Sequence, residues 1–253
     1  MKKIIFLDTE TTGNEPVKDF LCQLAWKTSE ETFCELFKPP IPIPPEASAV
    51  THITNKHVVD KKAFQESSNY GAIKLMLEDP TAVMVAHNAR FDEEIIKKEG
   101  ITPAHTICTL RVARALDTKN VIPQYKLQYL RYYLDIEIKA EAHDALGDVL
   151  VLEQLYKRLL DKIMKPARNA DGIASAGGEE NLTEEEAIEK MIEISSRPSL
   201  MNSFPFGKYN GKTIEEVKNI DPGYLDWMLG QKELNPDNEE DWIYTLKYHL
   251  GKL

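Results

Sequence analysis

Asp8 and Glu10 stand two residues apart where the apolar run KIIFL ends. In an extended chain a spacing of two puts both carboxylates on one face, a few ångströms apart. Two like charges so close are costly unless a cation lies between them. Thr11, Thr12 and Gly13 follow, offering hydroxyls, backbone donors and a glycine that permits close approach of a ligand. Asp92, in AHNARFD, falls in the first turn of a predicted helix, just after the apolar run Ala82–Ala86. His143 and Asp148, in HDALGD, open another predicted helix, with Asp144 as its N-cap. A histidine on a loop end can swing, which suits proton transfer better than packing does. Taken singly, Asp92 and Asp148 also read as first-turn acids complementing a helix dipole, and His143 as an exposed loop residue. Together the three segments point to one site.

The elements that must position these residues follow from periodicity. Lys3–Thr9 is apolar on both alternating faces, as a central, doubly covered strand should be. Phe20–Lys27 and Thr32–Phe37 read as further strands, Ala82–Ala86 as a buried one, and a short strand is predicted near His105–Ile107. KPPIPIPPEAS holds five prolines and is expected to be an extended connection. Helical patterns lie around Glu66–Leu77, Ala89–Glu99, Thr109–Leu116, Lys126–Leu134 and Ala145–Leu160. Strands first, then strands alternating with helices, predict an α/β layered domain with a mixed sheet.

With 253 residues, 42% of them hydrophobic and 28% charged, the chain can bury a real core and is neither disordered nor disulfide-framed. The net charge of −10 would discourage nucleic acid, but it is unevenly spread. Residues 1–160 carry 23 acidic and 20 basic side chains, so bound divalent ions would neutralise that part. Three cysteines form no CxxC pair, which predicts reduced thiols in a cytoplasm. The apolar stretch after MKK is too short for a signal peptide, and no run approaches the roughly 20 residues of a membrane helix, so no membrane partner is expected.

DTETTG (Asp8–Gly13), HNARFD (His87–Asp92) and HDALGD (His143–Asp148) resemble the three motifs of the DEDD superfamily of 3'–5' exonucleases. HxxxxD in the third marks the DEDDh, or DnaQ-like, branch, which includes the proofreading subunit of bacterial DNA polymerase III, exonuclease X and ribonuclease T. VTHIT (Val50–Thr54), TICTLRVAR (Thr106–Arg114) and YKLQYL (Tyr125–Leu130) extend the resemblance over about residues 1–160. It implies a ribonuclease H-like fold, with a mixed five-stranded sheet flanked by helices. It implies that Asp8, Glu10, Asp92 and Asp148 hold two divalent cations, Mg²⁺ or Mn²⁺, with Asp8 bridging them and His143 as general base. The expected product is a nucleoside 5'-monophosphate. Thr11, Thr12 and Gly13 would meet the terminal sugar and phosphate, and His52 and Ile53 its base or ribose. Asn88 and Phe91 would line the cleft, although Phe91 also reads as core and His52 as a turn cap. His57, His87, His105 and Cys108 are read as structural.

Residues 1–164 are thus expected to form the exonuclease domain, and 165–200 a linker with an acidic helix opened by a capping box at Thr183 and Glu186. Residues 201–253 resemble the small, α-rich C-terminal module of exonuclease X-like proteins, through FPFGKYNGKTIEEV and DPGYLDWML. Most of the module's aromatics are expected to be its core, and a replication or repair partner could dock through it. The leading expectation is action on single-stranded DNA 3' ends. An RNA-trimming exoribonuclease and a non-catalytic nucleic-acid-binding module are the alternatives, the latter disfavoured because it would have no need of His143.

Overall fold

The computed structural model describes residues 2–138, 145–165, 181–234, 236 and 239–253. β1 (Lys3–Thr11), β2 (Leu21–Lys27) and β3 (Thr32–Leu36) form an antiparallel meander. β4 (Ala82–Ala86) and β5 (Thr106–Cys108) add parallel strands beyond β1, giving the order β3-β2-β1-β4-β5. Parallel neighbours need a crossover, and α4 (Arg90–Lys98) supplies it between β4 and β5. The mixed five-stranded sheet expected from the sequence is therefore present.

Alternation along β1 sorts its side chains between two layers. Phe6 joins Ala25, Val83, Val85 and Ile107 on the face covered by α5 (Thr109–Leu116), α6 (Leu127–Tyr133) and α7 (Ala145–Met164). Ile5 and Leu7 join Leu24, Met84, Ile95 and Ile96 on the other face, with α3 (Tyr70–Glu78), α4, Phe37 and Phe64. Every residue of β4 is buried, as a strand covered on both faces requires.

Two expectations need correction. The proline-rich connection is not extended throughout, because α1 (Pro45–Thr51) begins within it, and α2 (Asn55–Val58) follows. Pro45 occupies the first helical turn, where its missing N–H costs nothing, and Ala47, Ile53 and Val58 pack with Cys22 and Ile43 in a small satellite core. The described part of 165–200 is also more than a linker. α8 (Glu184–Ser195), opened by the predicted capping box, buries Ile188 and Met191 in the main core beside Ile107, Val112 and Ala113. Each such burial contributes about 1.5–3 kcal/mol, while the glutamates occupy the opposite, solvated side.

The carboxy-terminal module packs α9 (Ile214–Ile220), α10 (Pro222–Leu234) and α11 (Glu240–Leu250) around Phe204, Tyr209, Leu225 and Trp242. Those aromatics are core, as expected, whereas Phe206, Trp227 and Tyr248 are exposed. Charge pairs join this module to α5. Arg111 reaches Glu240 at 2.8 Å and Asp241 at 3.0 Å, and Arg114 also reaches Asp241. Among the described residues, no helix is long and apolar enough to cross a membrane.

Candidate active site

The period of two in β1 places Asp8 and Glu10 on the face that α7 covers, opposite Ala25 and Gln23 of β2. α7 brings Asp148 to them from its first turns. Oxygens of Asp8, Glu10 and Asp148 all lie within 4.8 Å of one another, at half-buried positions. The pairing of β1 with β2 slips between Glu10 and Thr11. This bulge ends the regular ladder beside the carboxylates, where bulges commonly re-aim a chain near a site.

Asp92 comes from α4 and is 3% exposed. Its Oδ1 accepts the Thr9 backbone N–H at 3.1 Å and the Thr9 hydroxyl at 2.7 Å. β1 pairs with β4 only from Lys3 to Phe6, so beyond Phe6 the strands part and an acid from α4 can reach the Thr9 backbone. Asp92 is thus joined to the segment between Asp8 and Glu10, yet its carboxylate is not one of the converging three. Burial pushes the Asp92 carboxyl well above the usual carboxylate range, against the hydrogen bonds from Thr9, which favour the ion. His143 lies outside the described residues, as does the predicted N-cap Asp144.

The turn after β1 is tied inward. Thr11 and Thr12 are buried, and Thr11 donates to the Gly13 carbonyl. The Thr12 hydroxyl donates to Asp19 at 2.9 Å and accepts from the Phe20 N–H at 3.0 Å. Both hydroxyls are therefore committed within the protein, and the Thr12 N–H also donates to the Phe20 carbonyl at 2.9 Å. Asp19 also accepts the Glu15 N–H at 2.8 Å, and a β-carbon on Gly13 would come within 2.5 Å of it.

The other expected substrate contacts are divided. His52 and Asn88 are exposed and left-handed, with φ of 59° and 63°. His52 is the C-cap of α1, its N–H donating to the Ser48 carbonyl at 2.9 Å, so the expectation that it caps a turn is met. Ile53, in contrast, is 5% exposed and belongs to the satellite core, and Phe91 is half-buried against the α3–α4 core. His87 is structural: Nε2 faces the Tyr125 carbonyl at 2.6 Å and Nδ1 the Thr109 hydroxyl at 2.9 Å. A carbonyl can only accept, so Nε2 carries the hydrogen. Burial raises the Cys22 thiol to about 12 and lifts Cys108 as well, so neither is an activated nucleophile.

Three polar residues with no assigned role in the sequence reading support this geometry: Asp19, Gln23 and Gln128. Gln23 accepts the Ala145 N–H at 3.4 Å, and Gln128 donates to Asp148. The available signal was their position, since each is a polar side chain within or beside an apolar strand or helix pattern.

The family model described as Exonuclease matches residues 5–156, and one described as Exodeoxyribonuclease X-like C-terminal matches residues 204–233. Exodeoxyribonuclease 10 of Escherichia coli (strain K12) is 29% identical over 218 residues, covering 85% of this chain and 83% of that one. DNA polymerase III subunit epsilon of Treponema pallidum (strain Nichols) is 30% identical over 167 residues, covering 60% and 74%. The solved structure of exonuclease X in complex with 5' overhanging duplex DNA has a TM-score of 0.55 at 23% identity, over 76% of this chain and 99% of that one. That of E. coli exonuclease I in complex with a dT13 oligonucleotide has a TM-score of 0.54 at 22% identity, over 64% and 41%. Both share the fold of the amino-terminal domain. Because the first family match spans more than half of its length, this chain belongs to the exonuclease family and is a nuclease by fold and by descent.

Proposed function

We propose that the protein is a divalent-metal-dependent 3'–5' exonuclease that hydrolyses phosphodiester bonds at single-stranded DNA 3' ends and releases nucleoside 5'-monophosphates. The observation that carries this reading is the convergence of Asp8, Glu10 and Asp148, drawn from the first strand and from the helix that closes over it. Hard carboxylate oxygens without sulfur suit Mg²⁺ or Mn²⁺ better than zinc. Bound there, such ions lower the pKa of an attacking water and stabilise charge on the attacking and leaving oxygens. Asp8, Glu10 and Asp148 would hold the ions, with Asp92 supporting the site through Thr9.

His143 takes the proton of the attacking water, a role supported by its place five residues before Asp148. His52 and Asn88 flank the terminal nucleotide, with the turn Thr11–Gly13 beside its sugar and phosphate. The names of the relatives, an exodeoxyribonuclease and a DNA polymerase subunit, favour DNA over RNA. Free cysteines, including the exposed Cys34, favour a reducing cytoplasm.

Purified protein with Mg²⁺ is expected to shorten 5'-labelled single-stranded DNA from its 3' end and to stop on addition of EDTA. Asp8→Asn is expected to slow cleavage about a thousandfold, equivalent to about 4 kcal/mol of lost charge stabilisation. Cleavage that survives EDTA, or an Asp8→Asn protein as active as the wild type, would overturn the reading. A matched RNA oligonucleotide in the same assay decides the sugar preference.

A further inference from the structure

Asp148 does not reach Asp8 and Glu10 unaided. Gln128 and Arg131 lie three apart on α6 and so share one face of that helix. The Gln128 amide Nε2 donates to Asp148 Oδ1. Arg131 Nη1 donates to Gln128 Oε1 at 3.4 Å, and its Nη2 donates to the Ile138 carbonyl at 2.6 Å. Every step in this chain runs from donor to acceptor. A guanidinium can only donate, so it holds the oxygen end of the Gln128 amide and turns the NH₂ end toward Asp148. Arg131 is 9% exposed, and burying a cation so deeply is costly unless its hydrogen bonds are put to use.

We propose that Gln128, oriented by Arg131, is a positioning residue that aims the Asp148 carboxylate at the metal site. The proposal rests on the exonuclease reading above. A neutral amide is the suitable group at this place. It donates to one carboxylate oxygen without bringing a charge of its own. A cation at the same position would compete with the metal, and a carboxylate would add to the repulsion among Asp8, Glu10 and Asp148. From the other side Gln23 accepts the Ala145 N–H at 3.4 Å, so the first turn of α7 is held from β2 and from α6 together.

The test is calorimetric titration of Mn²⁺ into the full-length wild-type protein, Gln128→Leu, Gln128→Asn and Asp148→Ala. Gln128→Leu removes the donor, and Gln128→Asn keeps an amide but withdraws it by one methylene, which guards against misfolding of the first variant. Both are expected to bind Mn²⁺ about 10–100-fold more weakly, the usual cost of losing a partner behind a metal ligand. The Mg²⁺ concentration for half-maximal cleavage should rise by a similar factor. KM for the oligonucleotide at saturating Mg²⁺ and the melting temperature should stay near wild type, which a merely structural tether would not predict. Wild-type Mn²⁺ affinity in the folded Gln128 variants, with binding lost in Asp148→Ala, overturns the positioning role alone. Wild-type affinity in Asp148→Ala overturns the metal reading and this proposal with it.

Discussion

Arg114 and Asp241 meet at 2.6 Å across the junction between the exonuclease domain and the carboxy-terminal module. Both side chains are largely buried, at 12% and 18% exposed, and the same carboxylate takes Arg111 at 3.0 Å and the Ser199 N–H at 3.0 Å. Such a pair is weak evidence of net stability, because desolvation offsets most of the attraction. Removing one partner is a different matter, since it strands the other charge.

Asp241→Ala is therefore expected to destabilise the protein by about 2 kcal/mol, between the value of an exposed pair and that of a fully buried one. Urea unfolding measures this directly. A loss of stability indistinguishable from zero would mean that the pairs made by Asp241 add nothing net to the junction.

Gly13→Ala tests the turn that follows β1. The added methyl group would stand 2.5 Å from Asp19 Oδ2 and 2.7 Å from Cγ, on a side chain fixed by Thr12 and by the Glu15 N–H. Relief requires breaking one of those bonds, so a loss of about 1–2 kcal/mol is expected, together with a raised KM for the oligonucleotide. An unchanged denaturation midpoint would show that Asp19 yields freely.

His87 should leave a signature in the acid limb of stability. Burial drives its pKa down to about 4, aided by the Arg114 charge and opposed by the hydrogen bond to the Tyr125 carbonyl. An unfolded histidine titrates near 6.5, so between those values the unfolded chain binds the proton first. This contribution is complete above about pH 6.5 and is lost as the pH falls toward 4, by up to about 3 kcal/mol. Melting curves of the wild type and His87→Asn from pH 7 to 4 should converge as acid is added. A constant gap between them would remove the effect.

Much of the site could be read from residue spacing. The alternation of KIIFLDTET announces a covered strand, and the same period obliges Asp8 and Glu10 to share a face. Other features depend on groups far apart in the chain. The position of Asp92 relative to the other acids depends on where β1 and β4 part, which no local pattern encodes. Short α1, which opens on a proline, had too little periodicity to distinguish it from the proline-rich stretch before it. Ile53 is expected to contact substrate from its place in VTHIT beside His52, yet the fold buries it in a satellite core. Gln128 stands in a segment whose apolar spacing announces the helix but says nothing of what its polar member touches.

α8 carries a practical lesson about where this enzyme can be divided. Because Ile188 and Met191 cover the flank formed by Ile107, Val112 and Ala113, the amino-terminal unit is completed by chain that lies well beyond its last motif. A truncation after Met164 would bare that flank as an oily strip and invite self-association, however intact the carboxylates remained. A fragment that ran on through Ser196 would keep its own cover.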